Sequence, residues 1–184
     1  ILNEGRDILW WSERTGYGHY YLYDGNGRLQ GAVTSGAYVA GKIERIDTLA
    51  RTIVYEGYGR EPGVNPHYRF YYITGFNGGE PVLLTPGNGE HSVAFSPDGR
   101  FLTDTWSRMD RAPRHQVCDM KGRGRIELEP CDLSELYARG WHEPEVVEVL
   151  AADSVTRLYG IVYLPFDREP GRKYPIISNV YPGP

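Results

Sequence analysis

The residues able to carry covalent or acid–base chemistry are eight serines, five histidines and two cysteines. A serine nucleophile raised on a strand–turn–helix elbow needs glycine two positions before it and two after. None of Ser12, Ser35, Ser92, Ser96, Ser107, Ser134, Ser154 or Ser178 has both. His19, His67 and His115 recur at intervals of 48 residues. A zinc site would need their nitrogens within about 2 Å of one ion. Equivalent positions in successive repeats lie radially apart, so no metal is expected; the structural role is a strand-entry histidine bonded to a loop. Trp141-His142-Glu143 lacks the second histidine of a metalloprotease helix, since residue 146 is Val146. Cys118 and Cys131 do not make a disulfide framework and are expected to be free buried thiols, although they could pair in an exported protein. Gly25, Gly27, Gly78 and Gly79 sit in hairpin turns and not before a helix, so no nucleotide cofactor is expected.

The elements around these residues follow from composition and repeats. Gly (23) and Pro (13) make up about a fifth of the 184 residues, and Tyr (15), Phe (5) and Trp (4) are abundant. Turn formers with aromatics favour many short strands over long helices. The alternating stretch beginning at His19 is echoed at His67 and more weakly at His115. Each is followed by a Gly-rich turn, at 24–27, 77–79 and 121–124, and then by a second strand. Further strands are expected at 42–46, 52–55, 92–95 and 100–103, the last two joined by Ser96-Pro97-Asp98-Gly99. Four strands per unit of about 48 residues is the period of a β-propeller. Propellers have about four to eight blades, and residues 1–132 hold only two to three. Trp10, Trp11 and Trp106 are expected in the core between blades. The long loop at 60–66 is expected to be a plain solvent loop.

After residue 130 the repeat stops. Residues 132–139 read as a short helix, with Asp132 and Glu135 as a capping box and Gly140 as its stop. Strands are expected at 144–151, 156–164 and 174–181.

Four stretches together point to a family. They are Trp11-Ser12-Glu13-Arg14-Thr15-Gly16-Tyr17 with His19; the run from Leu84 through His91 and Ser96-Pro97-Asp98-Gly99 to Phe101; Leu158-Tyr159-Gly160 before an apolar strand and Leu164-Pro165; and Lys173-Tyr174-Pro175 followed by Val180-Tyr181-Pro182-Gly183-Pro184. In this order they resemble the dipeptidyl peptidase IV group of the prolyl oligopeptidase family of serine peptidases. The resemblance covers essentially the whole chain. It implies a mainly β chain: a partial β-propeller, holding the last two to three four-stranded blades in residues 1–132. In residues 133–184 it implies the crossover helix and first strands of an α/β-hydrolase domain. It also implies that the hydroxyl of Tyr181 belongs to the oxyanion hole. The Ser, Asp and His of the triad and the acidic pair that holds the substrate amine would lie outside this stretch; no Glu-Glu or Asp-Glu dipeptide occurs here.

The implied activity is release of N-terminal dipeptides with Pro or Ala second, the isolated chain being inactive. An acylaminoacyl peptidase or oligopeptidase of the same family, or a non-catalytic peptide-binding propeller, is the alternative. The implied partner is a peptide substrate, with self-association through open blade edges or a homodimeric parent. The net charge of −4 gives no pull toward nucleic acid. No run of apolar residues is long enough to span a bilayer. The first residues lack Met, a basic segment and an apolar segment, so no signal peptide is expected in this stretch. Exported and cytoplasmic locations both stay open.

Overall fold

The structure, a computed structural model, describes residues 1–180. It is mainly β, and its residues fall into two compact units, Ile1–Asp132 and a second beginning at Leu133.

The first unit is three antiparallel meanders. Strands β1 (Asp7–Ser12), β2 (His19–Asp24) and β3 (Leu29–Ala32) form one sheet. Strands β4 (Val39–Asp47), β5 (Thr52–Tyr58), β6 (Arg69–Gly75) and β7 (Gly78–Leu83) form the second. Strands β8 (Glu90–Phe95), β9 (Phe101–Arg108), β10 (Arg111–Asp119) and β11 (Ile126–Glu127) form the third. The middle strands are covered on both faces, which is why Ile53-Val54-Tyr55 and Phe70-Tyr71-Tyr72 read as unbroken apolar runs rather than alternating ones. Leu22, Val33, Tyr38, Ile53, Tyr55, Phe70 and Tyr72 make the core between the first two sheets. Val54, Tyr71, Leu84, Leu102 and Cys118 make the core between the second and third.

Turn chemistry closes the hairpins. Asp24 Oδ1 accepts from the N–H groups of Asn26 and Arg28 at 2.9 Å, and Asp119 Oδ1 does the same for Lys121 and Arg123 at 2.8 Å. Such a carboxylate mimics the backbone of a turn. Gly27, Gly78 and Gly122 follow at φ values of 79°, 75° and 70°, a region open to glycine.

The Gly78 turn also rests on the preceding sheet. A Cβ at Gly78 would lie 2.6 Å from the Ala32 carbonyl oxygen, closer than real contacts allow. Gly78→Ala combines that clash with left-handed strain and is expected to cost about 1–3 kcal/mol. The chemical-denaturation midpoint of the first unit checks this, and a midpoint unchanged within error would contradict it.

Equivalent hydrogen bonds set the repeat. The N–H groups of Val33, Leu84 and Leu128 donate to the carbonyls of Tyr20, Tyr71 and His115, each at 2.8 Å. Tyr20 and Tyr71 are therefore equivalent, 51 residues apart, and His115 follows 44 residues later. The uniform histidine interval of 48 is a coincidence. Loop-length differences nearly cancel over two repeats, so His19 aligns with Phe70, and His67 lies in the loop before β6. Trp10 and Trp11 are not core either; both are exposed. Trp11 spans the first junction by its edge, donating its indole N–H to the Ala40 carbonyl at 2.8 Å.

The second unit holds helix α1 (Ser134–Ala138) and an antiparallel hairpin, β12 (Glu145–Leu150) with β13 (Arg157–Val162). Asp153 ties its turn: its Oδ1 accepts from the Val155 and Thr156 N–H groups at 2.9 and 2.8 Å. The Thr156 hydroxyl and these N–H groups hold the Asp153 carboxyl down to about 2. The helix starts one residue later than expected: Leu133, not Asp132, is the N-cap, and its side chain makes no cap hydrogen bond. The strand expected at 174–181 is not formed over the described residues 174–180. A peripheral apolar run becomes a strand only when a neighbour supplies ladder partners. Among the described residues no helix is long and apolar enough to cross a membrane.

Candidate functional site

Tyr181, the one residue assigned a catalytic role from the sequence, lies outside the described residues. The described part of the chain shows where the other reactive groups are and what each is bound to.

The histidines are structural in their contacts. His19, the first residue of β2, is buried, with Nδ1 3.0 Å from Thr34 Oγ1 and Nε2 2.9 Å from the Gly36 carbonyl. His115 Nδ1 lies 3.0 Å from Thr105 Oγ1. Among the described residues no group of His, Cys, Asp and Glu is arranged to hold a metal ion. Cys118 is buried, and burial pushes its thiol pKa up; Cys131 is exposed, contrary to its expected burial, and both are unpaired with each other.

Sequence reading missed His91. Its Nδ1 is 2.9 Å from Asp104 Oδ1 and its Nε2 3.1 Å from the Gly87 carbonyl. Asp104 Oδ2 accepts from Gln116 at 2.7 Å, so β8, β9 and β10 share one buried polar network. A histidine oriented by an aspartate is half of a nucleophile-activating triad. Here that use is closed off. The second ring nitrogen is spent on a carbonyl, and both side chains are fully buried, beyond reach of a substrate. The available signal was positional: Val93 pairs with Asp104 and His91 with Trp106, so His91 and Asp104 are diagonal neighbours on one sheet face. His19 and His91 also do one job from opposite sides. Gly36 and Gly87 are equivalent, and each carbonyl faces an imidazole next to an aromatic ring, Tyr38 at 5.1 Å or Phe70 at 5.0 Å.

A second network joins the same two sheets. Arg69 donates Nη1 to Glu56 Oε1 at 3.0 Å, Nη2 to Glu90 Oε1 at 2.6 Å and Nε to the His91 carbonyl at 3.2 Å. Burial works against its charge, yet the bonds to Glu56 and Glu90 raise its pKa. Glu56 also accepts from Tyr58, whose phenol is pushed up to about 12 by burial and by that bond. A central arginine between two carboxylates fixes three strands by charge-assisted bonds.

The loop at 60–66 is not a plain solvent loop. Glu61 accepts the Tyr72 hydroxyl at 2.8 Å. The Arg60 guanidinium lies 5.2 Å from the Tyr38 ring and 5.7 Å from Tyr72, and it pairs with Glu80. Tyr38 and Tyr55 share a hydroxyl–hydroxyl bond of 2.8 Å beneath it. The loop thus caps the aromatic layer between the first two sheets.

In the second unit Trp141, His142, Pro144, Tyr163 and Phe166, together with Glu145 and Arg168, line a cleft of about 400 Å³. The His142 ring meets Phe166 edge-on at 5.3 Å. No serine hydroxyl lines it. Nothing in this arrangement supplies a nucleophile with its base.

Comparison with known proteins adds what the geometry leaves open. Residues 1–113 match the family model described as the dipeptidyl peptidase IV (DPP IV) N-terminal region. The chain is 26% identical to human dipeptidyl peptidase 8 over 166 residues, covering 83% of this chain and 18% of that protein. It is 27% identical to the mouse protein of the same name over 149 residues, covering 76% and 16%. The chain therefore spans less than a fifth of the length of these relatives. The fold is also that of Porphyromonas gingivalis dipeptidyl peptidase 4, at a TM-score of 0.70 and 24% identity over 95% of this chain and 24% of that one.

Proposed function

Because this chain belongs to the dipeptidyl peptidase IV N-terminal-region family, we propose that it serves a serine exopeptidase releasing dipeptides from peptide N-termini, with Pro or Ala second. The observation that carries the reading is the family match over residues 1–113, which spans the first two meanders and the third as far as the start of β10. In this reading those meanders are the last blades of the propeller. They wall the chamber through which a peptide reaches the active site. Residues 133–184 lead into the α/β-hydrolase domain.

The chemistry assigned to this stretch is oxyanion stabilisation by Tyr181. A serine oxygen attacks the carbonyl of the second substrate residue, and charge develops on the carbonyl oxygen. A phenol fixed at hydrogen-bonding distance donates to that oxygen more strongly in the transition state than in the ground state. The intermediate collapses, expelling the amine of the remaining peptide and leaving a dipeptidyl ester on the serine. Water then hydrolyses the ester. Serine and base are supplied from outside this stretch.

It follows that the 184-residue chain alone is inert. Incubation with a Gly-Pro chromogenic amide is expected to release no chromophore above the buffer rate. Turnover abolished by a serine-directed phosphonate would overturn the assignment of nucleophile and base to other parts of the polypeptide.

A further inference from the structure

Three of the six asparagines precede glycine: Asn26-Gly27, Asn77-Gly78 and Asn88-Gly89. Such a pair can react with itself, the glycine nitrogen attacking the asparagine Cγ. A glycine amide is the least shielded, because no Cβ stands beside it. An amide spent in a hydrogen bond, or a backbone pinned in one conformation, resists the attack.

The fold protects two of these pairs. The Gly27 N–H donates to the Asp24 carbonyl at 2.9 Å, and the Asn26 N–H donates to Asp24 Oδ1 at 2.9 Å, so both members are tied. Gly78 closes the β6–β7 hairpin opposite Gly75, which commits its N–H to the ladder. It also rests on the preceding sheet, where an added Cβ would lie 2.6 Å from the Ala32 oxygen. Asn88-Gly89 lies in the loop between β7 and β8 and has none of these ties. Among the described residues neither the Asn88 carboxamide nor the Gly89 N–H has a hydrogen-bond partner. Gly89 is buried, and a buried backbone donor without an acceptor is rare. Asn88 is partly exposed, which leaves a way out for ammonia and a way in for water.

We propose that Asn88 is a site of spontaneous conversion to aspartate and isoaspartate. The Gly89 nitrogen bonds to Asn88 Cγ and loses its proton to water. The bond from Cγ to the carboxamide nitrogen breaks, and that nitrogen leaves as ammonia. One water then opens the cyclic imide. Cleavage at Cγ restores the ordinary backbone with aspartate at position 88. Cleavage at the backbone carbonyl routes the chain through Cβ and Cγ, one atom longer. The flanking glycines have no slack for that atom. The Gly87 carbonyl accepts from His91 Nε2 at 3.1 Å, and a Cβ at Gly89 would lie 2.7 Å from the Ser107 oxygen. Conversion therefore loosens the loop that leads into the second junction. This chemistry is independent of the catalytic reading.

The test is to age the longer polypeptide that carries this chain at mildly alkaline pH. Peptide mapping by mass spectrometry, with fragmentation that distinguishes isoaspartate, follows the three pairs. In urea, with the fold removed, they are expected to convert at similar rates. In the native protein Asn88 is expected to convert about fivefold or more faster than Asn26 or Asn77, the factor one backbone hydrogen bond is worth. Hydrogen exchange over residues 84–95 is expected to quicken as Asn88 converts. Asn88→Ala is the control. Gly36 is equivalent to Gly87, so the matching position in the preceding loop is Ala37, and the fold accepts alanine there. This variant is expected to keep its exchange rates on ageing. Native conversion led by Asn26 or Asn77, equal native rates at all three pairs, an Asn88 that stays intact, or exchange that quickens as much in Asn88→Ala would overturn the proposal.

Discussion

Asp104→Ala is expected to remove about 3–5 kcal/mol from the stability of the first unit, the cost of breaking a fully buried ion-pair-type contact by deleting one partner. Asp104 is bonded to His91 at 2.9 Å and to Gln116 at 2.7 Å, and the His91 and Asp104 side chains are fully buried. Removing the carboxylate leaves an imidazole nitrogen and an amide N–H without acceptors. The desolvation penalty of both is then unreturned. A domain of this size holds about 5–15 kcal/mol in all, so the midpoint of urea unfolding should fall by about a fifth or more at unchanged slope. Replacing His91 and Asp104 together by leucine should cost less than the sum of the single changes, because no orphaned polar group remains. A loss below about 1 kcal/mol for Asp104→Ala would show that the network contributes little.

Tyr181→Phe in the longer enzyme that carries this chain is expected to lower kcat about 10²–10³-fold with KM little changed. Loss of one oxyanion donor typically costs about 2.7–4 kcal/mol of transition-state stabilisation. The ring is kept, so packing is conserved and only the donated hydrogen bond goes. Because the bond matters mainly after charge has developed, the ground-state complex should barely change. Steady-state kinetics on a Gly-Pro amide separate the two parameters. A kcat within threefold of the unmodified enzyme would remove Tyr181 from the oxyanion hole.

Most of the strands were legible because they depend on local chemistry, whereas β1 was not among those expected. Pro97-Asp98-Gly99, the Asp24 and Asp119 turns, and the aromatic runs around Tyr21, Tyr55 and Tyr71 each specify their own hairpin. What depends on the neighbouring sheet was not legible. The interval of 48 between histidines hid an alternation of 51 and 44, because loop length, not strand length, absorbs the difference. Trp10 and Trp11 read as core from hydrophobicity alone, yet burial requires a sheet on the other side. The His91–Asp104 pair is 13 residues apart in sequence and becomes a contact only through the β8–β9 register. The 60–66 loop looked polar and free. Arg60 and Glu61 are instead held by tyrosines from two other segments, Tyr38 and Tyr72, and no local pattern announces such partners. The stretch at 174–180 has strand composition and forms no strand among the described residues, since composition supplies propensity but not a ladder.

In the proposed function this chain is propeller and domain entry of a dipeptide-releasing serine peptidase. It is tested most directly by incubating the longer polypeptide that contains residues 1–184 with an unblocked peptide having Pro second, and identifying the first product by mass spectrometry. The expected product is the intact N-terminal dipeptide, with no cleavage when the peptide amine is acetylated. Release of an acylated single residue, internal cleavage, or no cleavage would contradict it.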